Sequence, residues 1–432
     1  MPQKLDAVPP SPFLLGVNYW PRRKAMYWWS DFDPGEVRDD FDLIADLGLT
    51  LVRLFLLWDD WQPHPNEVAA RALRAFGDVC DIAAARGLRL DVTFFTGHMS
   101  GPSWVPAWML HRDEPVPDAV RQVVAGGTSV ACGYANPFTD ETALAASELL
   151  LRTVVGQFRD HPAVALWNLG NEPDLFACPP SAAHGRAWVR RMTAAVHDLD
   201  SAHPVTVGLH SASLLEDNGL RVDEVFAEVD LAVMHGYSMY ADWSAGPLDP
   251  DFVPFLCALT SALAGKATLM EEFGGCTAPP GQPSTTWRWR SYGQERRQFL
   301  AGEEDLAEYV GQVLPRLVEV GAVGALLWCF ADYAEDLYQR PPCDESWHER
   351  HFGLVRADGT PKPHAAAVRR FAATGPVVRQ PERRVRLTDS QRREYYLDPL
   401  RHAQEAYLAF RTEETKGHSR PPGETPSGEE GQ

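Results

Sequence analysis

Cysteine gives this chain no framework. It has seven (Cys80, Cys132, Cys178, Cys257, Cys276, Cys329 and Cys343), an odd and widely spread set without a CxxC pair. That disfavours a disulfide scaffold and a zinc finger. Lysine is almost missing. Only Lys4, Lys24, Lys266, Lys362 and Lys416 occur, so arginine supplies nearly all of the 40 basic residues. Set against 59 acidic residues, they leave a formal net charge of -19. Such a surface repels nucleic acid and anionic membrane, and neither is expected as a partner. No apolar run approaches the ~18 residues that would span a bilayer. The first residues show no charged segment followed by an apolar one, as a signal peptide would. A reducing cytoplasm is the expected location. No HExxH, GxSxG or P-loop motif is present, so zincin, serine-hydrolase and phosphate-loop chemistry lack their usual marks.

What the chain does have is alternation. Short apolar runs fall at 13–18, 50–57, 88–95, 163–169, 204–209, 229–235, 267–272 and 322–329. Helix-like stretches lie between and after them, at about 34–48, 66–87, 139–160, 181–200, 220–228, 250–264, 303–320 and 362–373. Asp33, Pro34 and Glu36 give the first helix a clean start, and Thr139-Asp140-Glu141 gives another. Eight strand–helix units rich in Val and Leu predict a parallel sheet buried on both faces. Over this length they fit a (β/α)8 TIM barrel with long βα loops, at about 97–137, 274–302 and 331–361. An open doubly wound sheet is the alternative. It would usually carry a Gly-rich loop after its first strand, where this chain has Tyr19-Trp20-Pro21-Arg22-Arg23.

The expected organisation is a catalytic barrel at 1–375, a C-terminal extension with a helix at 376–411, and a disordered tail at 412–432. Residues 397–411 place Leu400, Ala403, Ala406, Tyr407 and Phe410 on one helical face. That helix is expected to dock on the barrel or on a second copy of the chain. Twelve of the 14 tryptophans lie at or just after strand ends, among them Trp20, Trp58 and Trp328. Indole faces stack on sugar C–H faces, while packing of long loops is the plainer reading.

The chemistry centres on two strand ends. Val164-Ala165-Leu166-Trp167-Asn168-Leu169-Gly170 runs into Asn171-Glu172-Pro173, and Ala267-Thr268-Leu269-Met270 runs into Glu271-Glu272-Phe273-Gly274. A carboxylate at the end of a buried strand costs desolvation unless it is paired or used. Two such acids from opposite strand ends can converge across a barrel mouth. Glycoside hydrolysis uses such a pair. Strict strand alternation would send Glu271 toward the helices, where it would need a partner such as an arginine.

With Arg53 in Leu51-Val52-Arg53-Leu54, His235 and Tyr237 in Met234-His235-Gly236-Tyr237, and Trp328, the sequence resembles clan A retaining glycoside hydrolases, most of all glycoside hydrolase family 5. The resemblance covers roughly 13–372. It implies Glu172 as acid/base, with a raised pKa, and Glu272 as nucleophile. It implies Asn171 at the sugar 2-hydroxyl, Arg53 and Tyr237 holding the nucleophile ionised, and His235 orienting Glu172 or touching sugar. Trp328 would floor the sugar subsite, and His98 would bind sugar. Gly16-Val17-Asn18-Tyr19-Trp20-Pro21, Trp28-Trp29 and Leu57-Trp58 look like a branch of that family containing β-mannosidases. Trp20 and Trp58 are therefore further substrate-binding candidates. The expected activity is exo-acting β-mannosidase action on short oligosaccharides. Endo-β-mannanase, β-glucanase, β-glucosidase and β-galactosidase are alternatives within the clan, and a non-catalytic carbohydrate-binding barrel is one outside enzymes. His98, His210 and His235 could be read as metal ligands, but no metal and no cofactor is expected.

Overall fold

The computed structural model describes residues 11–417, with side chains described as far as Thr412. Eight parallel strands form the central sheet: β1 Leu14–Tyr19, β2 Leu51–Leu57, β3 Arg89–Thr96, β4 Val164–Asn171, β5 Val205–Gly208, β6 Ala232–His235, β7 Thr268–Gly274 and β8 Gly324–Trp328. Neighbours in sequence are neighbours in space, and β1 pairs with β8, Leu14 opposite Gly324. The remaining seam lies between β5 and β6. Backbone bonds cross it from Asp230 N to Val205 O at 2.9 Å and from His235 N to Leu209 O at 2.9 Å. The sheet is thus a TIM barrel, and the open-sheet alternative is excluded.

The strands are buried along nearly their whole length, as expected of a sheet covered on both faces. Helices fall where the 3.6-residue pattern placed them, including Pro34–Asp46, Ala70–Ala84, Glu141–Phe158, Ala182–His197, Phe252–Ala264 and Glu303–Glu319. The Asp33 carboxylate accepts from Gly35 N at 2.8 Å and the Asp140 carboxylate from Ala143 N at 2.8 Å, capping orphan donors. Glu36 does not complete a capping box. It accepts instead from Arg23 N at 3.0 Å.

The loops after β3, β7 and β8 are long and partly structured. The β7 loop carries an antiparallel hairpin, Thr285–Ser291 with Gln294–Leu300. Its turn residues Tyr292 and Gly293 have φ of 50° and 73°, so the tight two-residue turn needs the left-handed region twice.

The C-terminal helix Pro399–Gly417 docks on its own barrel. Ala403, Tyr407 and Phe410 are buried, and Tyr407 packs on Trp243, Phe252 and Phe255. The apolar face once open to a second copy is therefore occupied within the chain. Leu400 is not part of it: it is exposed, like Leu397 and Leu408. The helix also runs past the boundary placed at 411. The rest of the segment expected to be disordered, 418–432, lies outside the described residues. Among the described residues no helix is long and apolar enough to cross a membrane.

Candidate active site

The site begins with a buried arginine. Arg53 is completely buried in the middle of β2. An unpaired charge there would cost several kcal/mol. Its guanidinium instead donates to Glu272 Oε1 at 2.6 Å, Asn171 Oδ1 at 3.0 Å, Asn18 Oδ1 at 3.2 Å and Thr93 Oγ1 at 2.9 Å. It also pairs with Glu271 Oε2 at 3.3 Å. One cation thus ties together the ends of β4 and β7.

Glu271 and Glu272 both point inward. In β7 the register slips beside each neighbour: Met234 faces Met270 and His235 faces Glu272, while Met270 faces Ala325 and Phe273 faces Leu327. This bulge places one extra residue on β7 and breaks the alternation that would have sent Glu271 to the helices. Glu271 has the arginine partner it needed, but inside the barrel. It also accepts from Asn168 Nδ2 at 3.0 Å and meets His235 Nε2 at 3.0 Å.

His235 lies between the acids, with Nδ1 2.9 Å from Glu172 Oε1 and 3.5 Å from Glu272 Oε1. The Tyr237 hydroxyl donates to Glu272 Oε2 at 2.9 Å. Glu172 follows β4 in a left-handed conformation, φ 45°, and its backbone N–H is held by Gly208 O at 2.9 Å. A non-glycine residue there is strained, which is common where a side chain must be aimed. Oxygens of Glu172 and Glu272 lie within 4.8 Å of each other, and a His235 nitrogen is as close to both.

Proton placement differs from the expectation. Burial lowers the pKa of His235, but Glu272, Glu172 and Glu271 outweigh burial and push it up to about 9. His210, 2.8 Å from Asp174, is pushed up to about 10, Asp174 and Glu172 outweighing burial. Burial raises Glu172, yet the charge of His210 and the hydrogen bond and charge of His235 hold it below the ordinary carboxylate range. Glu272 moves the other way. Burial raises it, and His235 and Arg53 only partly offset that. Glu172 is therefore shifted down rather than up, while Arg53, His235 and Tyr237 all act to favour the ionised Glu272 against its burial. The proton of the Glu172–His235 pair rests on the imidazole.

These groups open into a cavity of about 390 Å³, within the ~300–1,000 Å³ range usual for small-ligand sites. Glu172, Glu272, Asn171, His98, His235, Tyr237 and Trp328 all line it. Arg53 sits beneath it. Trp20 and Trp58 do not reach it, which corrects their assignment as sugar contacts. Trp20 stacks on Phe55 at 5.0 Å, and Trp58 donates to Gln62 Oε1 at 2.8 Å; both are almost wholly buried. The plainer reading of the aromatics also holds for Trp28, Trp29, Trp61 and Trp104. Sequence reasoning missed Arg121, Tyr240, Trp289, Arg296 and Glu349, all on the cavity wall. The long loops pointed to their region, and Tyr292-Gly293 between alternating residues was a readable hairpin signal. Nothing in the sequence singled out Glu349, which accepts from Ser100 Oγ at 3.0 Å and which burial pushes up to about 7.

A family model described as the TIM barrel domain of glycosyl hydrolases family 2 matches residues 121–374, more than half of the chain. The chain belongs to that family. As a glycosyl hydrolase barrel it is of clan A and of family 5 type. A probable mannan endo-1,4-beta-mannosidase F of Aspergillus flavus is 28% identical over 151 residues, 32% of each chain. The mannan endo-1,4-beta-mannosidase A of Emericella nidulans is 27% identical over 272 residues, 60% of this chain and 67% of its own. The match to the first of these relatives thus spans about a third of its length. Among solved structures, the GH5_18 protein of Streptomyces cattleya in complex with GlcNAc has a TM-score of 0.73 at 22% identity, covering 94% of this chain and 92% of its own. The exo-beta-1,4-mannosidase Op5Man5 of Opitutaceae bacterium strain TAV5 has a TM-score of 0.68 at 25% identity, covering 86% and 61%. This glycosyl hydrolase barrel therefore shares its architecture with mannosidase-type proteins across most of its length.

Proposed function

We propose that the chain is a retaining β-mannosidase acting on short oligosaccharides from their ends. The observation that carries this is the approach of the Glu172 and Glu272 oxygens to within 4.8 Å at the bottom of a loop-walled cavity. Retaining enzymes hold their carboxyls about 5–5.5 Å apart, whereas inverting ones leave ~6.5–9.5 Å for a water.

Glu272 is the nucleophile. Arg53 and Tyr237 stabilise its charge as substrate displaces water and the anomeric carbon gains positive character. Glu172 is the acid/base. It takes the proton held by His235 and passes it to the leaving oxygen, then removes one from the incoming water. Asn171, fixed by Arg53, faces the sugar 2-hydroxyl. Trp328 provides the apolar floor, and His98, held neutral with its pKa down at about 4 by burial, can accept or donate a hydrogen bond. No step requires a metal.

The mannoside reading rests on relatives. A neighbouring GH5_18 protein from Bifidobacterium longum is a complex with Manβ1-4GlcNAc, and Op5Man5 is an exo-β-1,4-mannosidase. Action from chain ends is favoured by the hairpin and the β3 and β8 loops, which wall the cavity. We assign catalysis to residues 1–375 and a bracing role to 376–411, and we place the enzyme in the cytoplasm. A homo-oligomer built through 397–411 would have to use the exposed Leu397, Leu400 and Leu408.

The deciding experiment is hydrolysis of nitrophenyl β-mannoside, β-glucoside and β-galactoside, with the first-formed anomer followed by NMR. The mannoside is expected to turn over fastest and to release β-mannose first. Release of the α-anomer would overturn retention. Rapid shortening of polymeric mannan would favour the endo alternative.

A further inference from the structure

Three arginines line the cavity that holds Glu172 and Glu272. Arg121 comes from the loop after β3, and Arg296 and Arg297 from the hairpin after β7. Several buried or half-buried arginines elsewhere are paired, such as Arg356 with Glu303 at 2.6 Å and Arg186 with Glu228 at 2.7 Å. None of these three forms an ion pair among the described residues. Arg296 Nε is buried with no hydrogen-bond partner, and so is Nδ1 of neighbouring His348. Arg121 and Arg296 also repel each other: burial first and Arg121 second hold the Arg296 guanidinium below its ordinary pKa.

Glu349, on the same wall, feels the charge of Arg121, but its own contacts go to Ser100 at 3.0 Å and His348 at 3.4 Å. It is also only partly ionised at neutral pH, burial having pushed it up to about 7. In a chain of net charge -19, unpaired cations concentrated in one cavity are a local reversal of the surrounding field. Their place in the cavity is also defined. Arg121 and Arg297 are exposed and Arg296 is half-buried, whereas Glu272 is buried. The cationic wall therefore lies outward of the acids, where the leaving group of an end-cleaving enzyme would sit.

We propose that the leaving group of the natural substrate carries an oxyanion, a phosphate, carboxylate or sulfate, gripped by Arg121 and Arg296. This rests on the glycosidase reading and adds a substrate class to it. A guanidinium fork matches the two oxygens of such an anion, and the bonds are charge-assisted. Trp289 on the same wall, stacked on Trp347 at 5.9 Å, offers an apolar surface to the sugar that bears the anion.

The test compares kcat/KM for Manβ1-4GlcNAc with that for its 6-phosphate, its 6-sulfate and β-mannosyl-1,4-glucuronic acid. It uses the wild type and the R121Q/R296Q double variant. At least one charged substrate should exceed the neutral one by about tenfold or more in the wild type. That ratio should collapse toward one in the variant and fall with added salt. Which charged substrate wins identifies the anion. A ratio near one in the wild type, or a ratio preserved in the variant, overturns the proposal. If neutral mannosides turn over without any anion preference, this inference alone fails. If no glycoside turns over, the glycosidase reading fails, and tryptophan fluorescence titration with N-acetylglucosamine 6-phosphate against N-acetylglucosamine decides the anion site. Tighter phosphate-sugar binding that the variant loses would uphold it, and equal binding would sink it.

Discussion

At the scale of single residues, the site is an exercise in placing charge where water is absent. Arg53 is the keystone. Removing it as R53M leaves Glu271 and Glu272 buried without their cation, a loss of about 3–5 kcal/mol on the pattern of broken buried pairs. Urea unfolding should show it, and a midpoint unchanged from wild type would contradict the network. His235 sets a pH limit. Its folded pKa of about 9 lies above its unfolded value, so the imidazolium's stabilisation is full below the unfolded value and is lost as pH rises through about 9. The proton that serves Glu172 is lost over the same range. The kcat/KM profile should therefore fall on an alkaline limb near pH 9, and H235Q should abolish that limb along with most of the activity. Glu349 has the same sign for a different reason, since here the neutral form is the favoured one. Burial raises a carboxyl, so ionising it destabilises the fold as pH rises from its ordinary value to about 7. E349Q should raise the melting temperature at about pH 8 and leave it nearly unchanged near pH 4, where the carboxyl is protonated in both states. Equal shifts at both values would assign the effect to packing.

The elements explain which of these residues could be read in advance. Periodicity located every barrel strand, because continuous Val/Leu runs bounded by glycine-ended helices have few other uses. It located Glu172 and Glu272 for the same reason: acids at the ends of buried strands are conspicuous. Glu271 could not be placed, because alternation assumes an unbroken ladder and β7 carries a bulge. Trp20 and Trp58 could not be told from Trp328, because all three lie at or just after strand ends and only packing separates a core indole from one facing a cavity. The C-terminal helix was visible as an amphipathic segment, but its target was not, since the matching surface is assembled from Trp243, Phe252 and Phe255. Phe410 is fully packed there, and F410A should cost about 3–5 kcal/mol. Nitrophenyl-glycoside turnover by the folded variant should persist, since Phe410 touches no cavity residue. Loss of activity without loss of stability would argue for a direct link between helix and site.

Across the whole molecule, the barrel separates support from function. One end of the strands delivers the acids, the histidine and the indole to a common cavity. The long loops at that end supply Arg121, Arg296 and Glu349, whose identities no periodicity constrains. The C-terminal segment braces the turn after β5, next to the cavity-lining His210 and Ser211: the Tyr395 hydroxyl donates to Leu214 O at 2.8 Å and Tyr396 to Ser213 O at 2.7 Å.

The pairing of β1 with β8 has a consequence for synthesis. The first strand emerges from the ribosome early, yet its edge toward β8 stays bare until residues near 324–328 have been made. The chain must therefore pass through a long interval with a hydrophobic edge exposed, at translation speeds of about 5–20 residues per second. Closure then depends on one of the most distant contacts in the protein, a slow and aggregation-exposed step. Yield of the intact enzyme should be governed by how well that unfinished edge is shielded during those seconds.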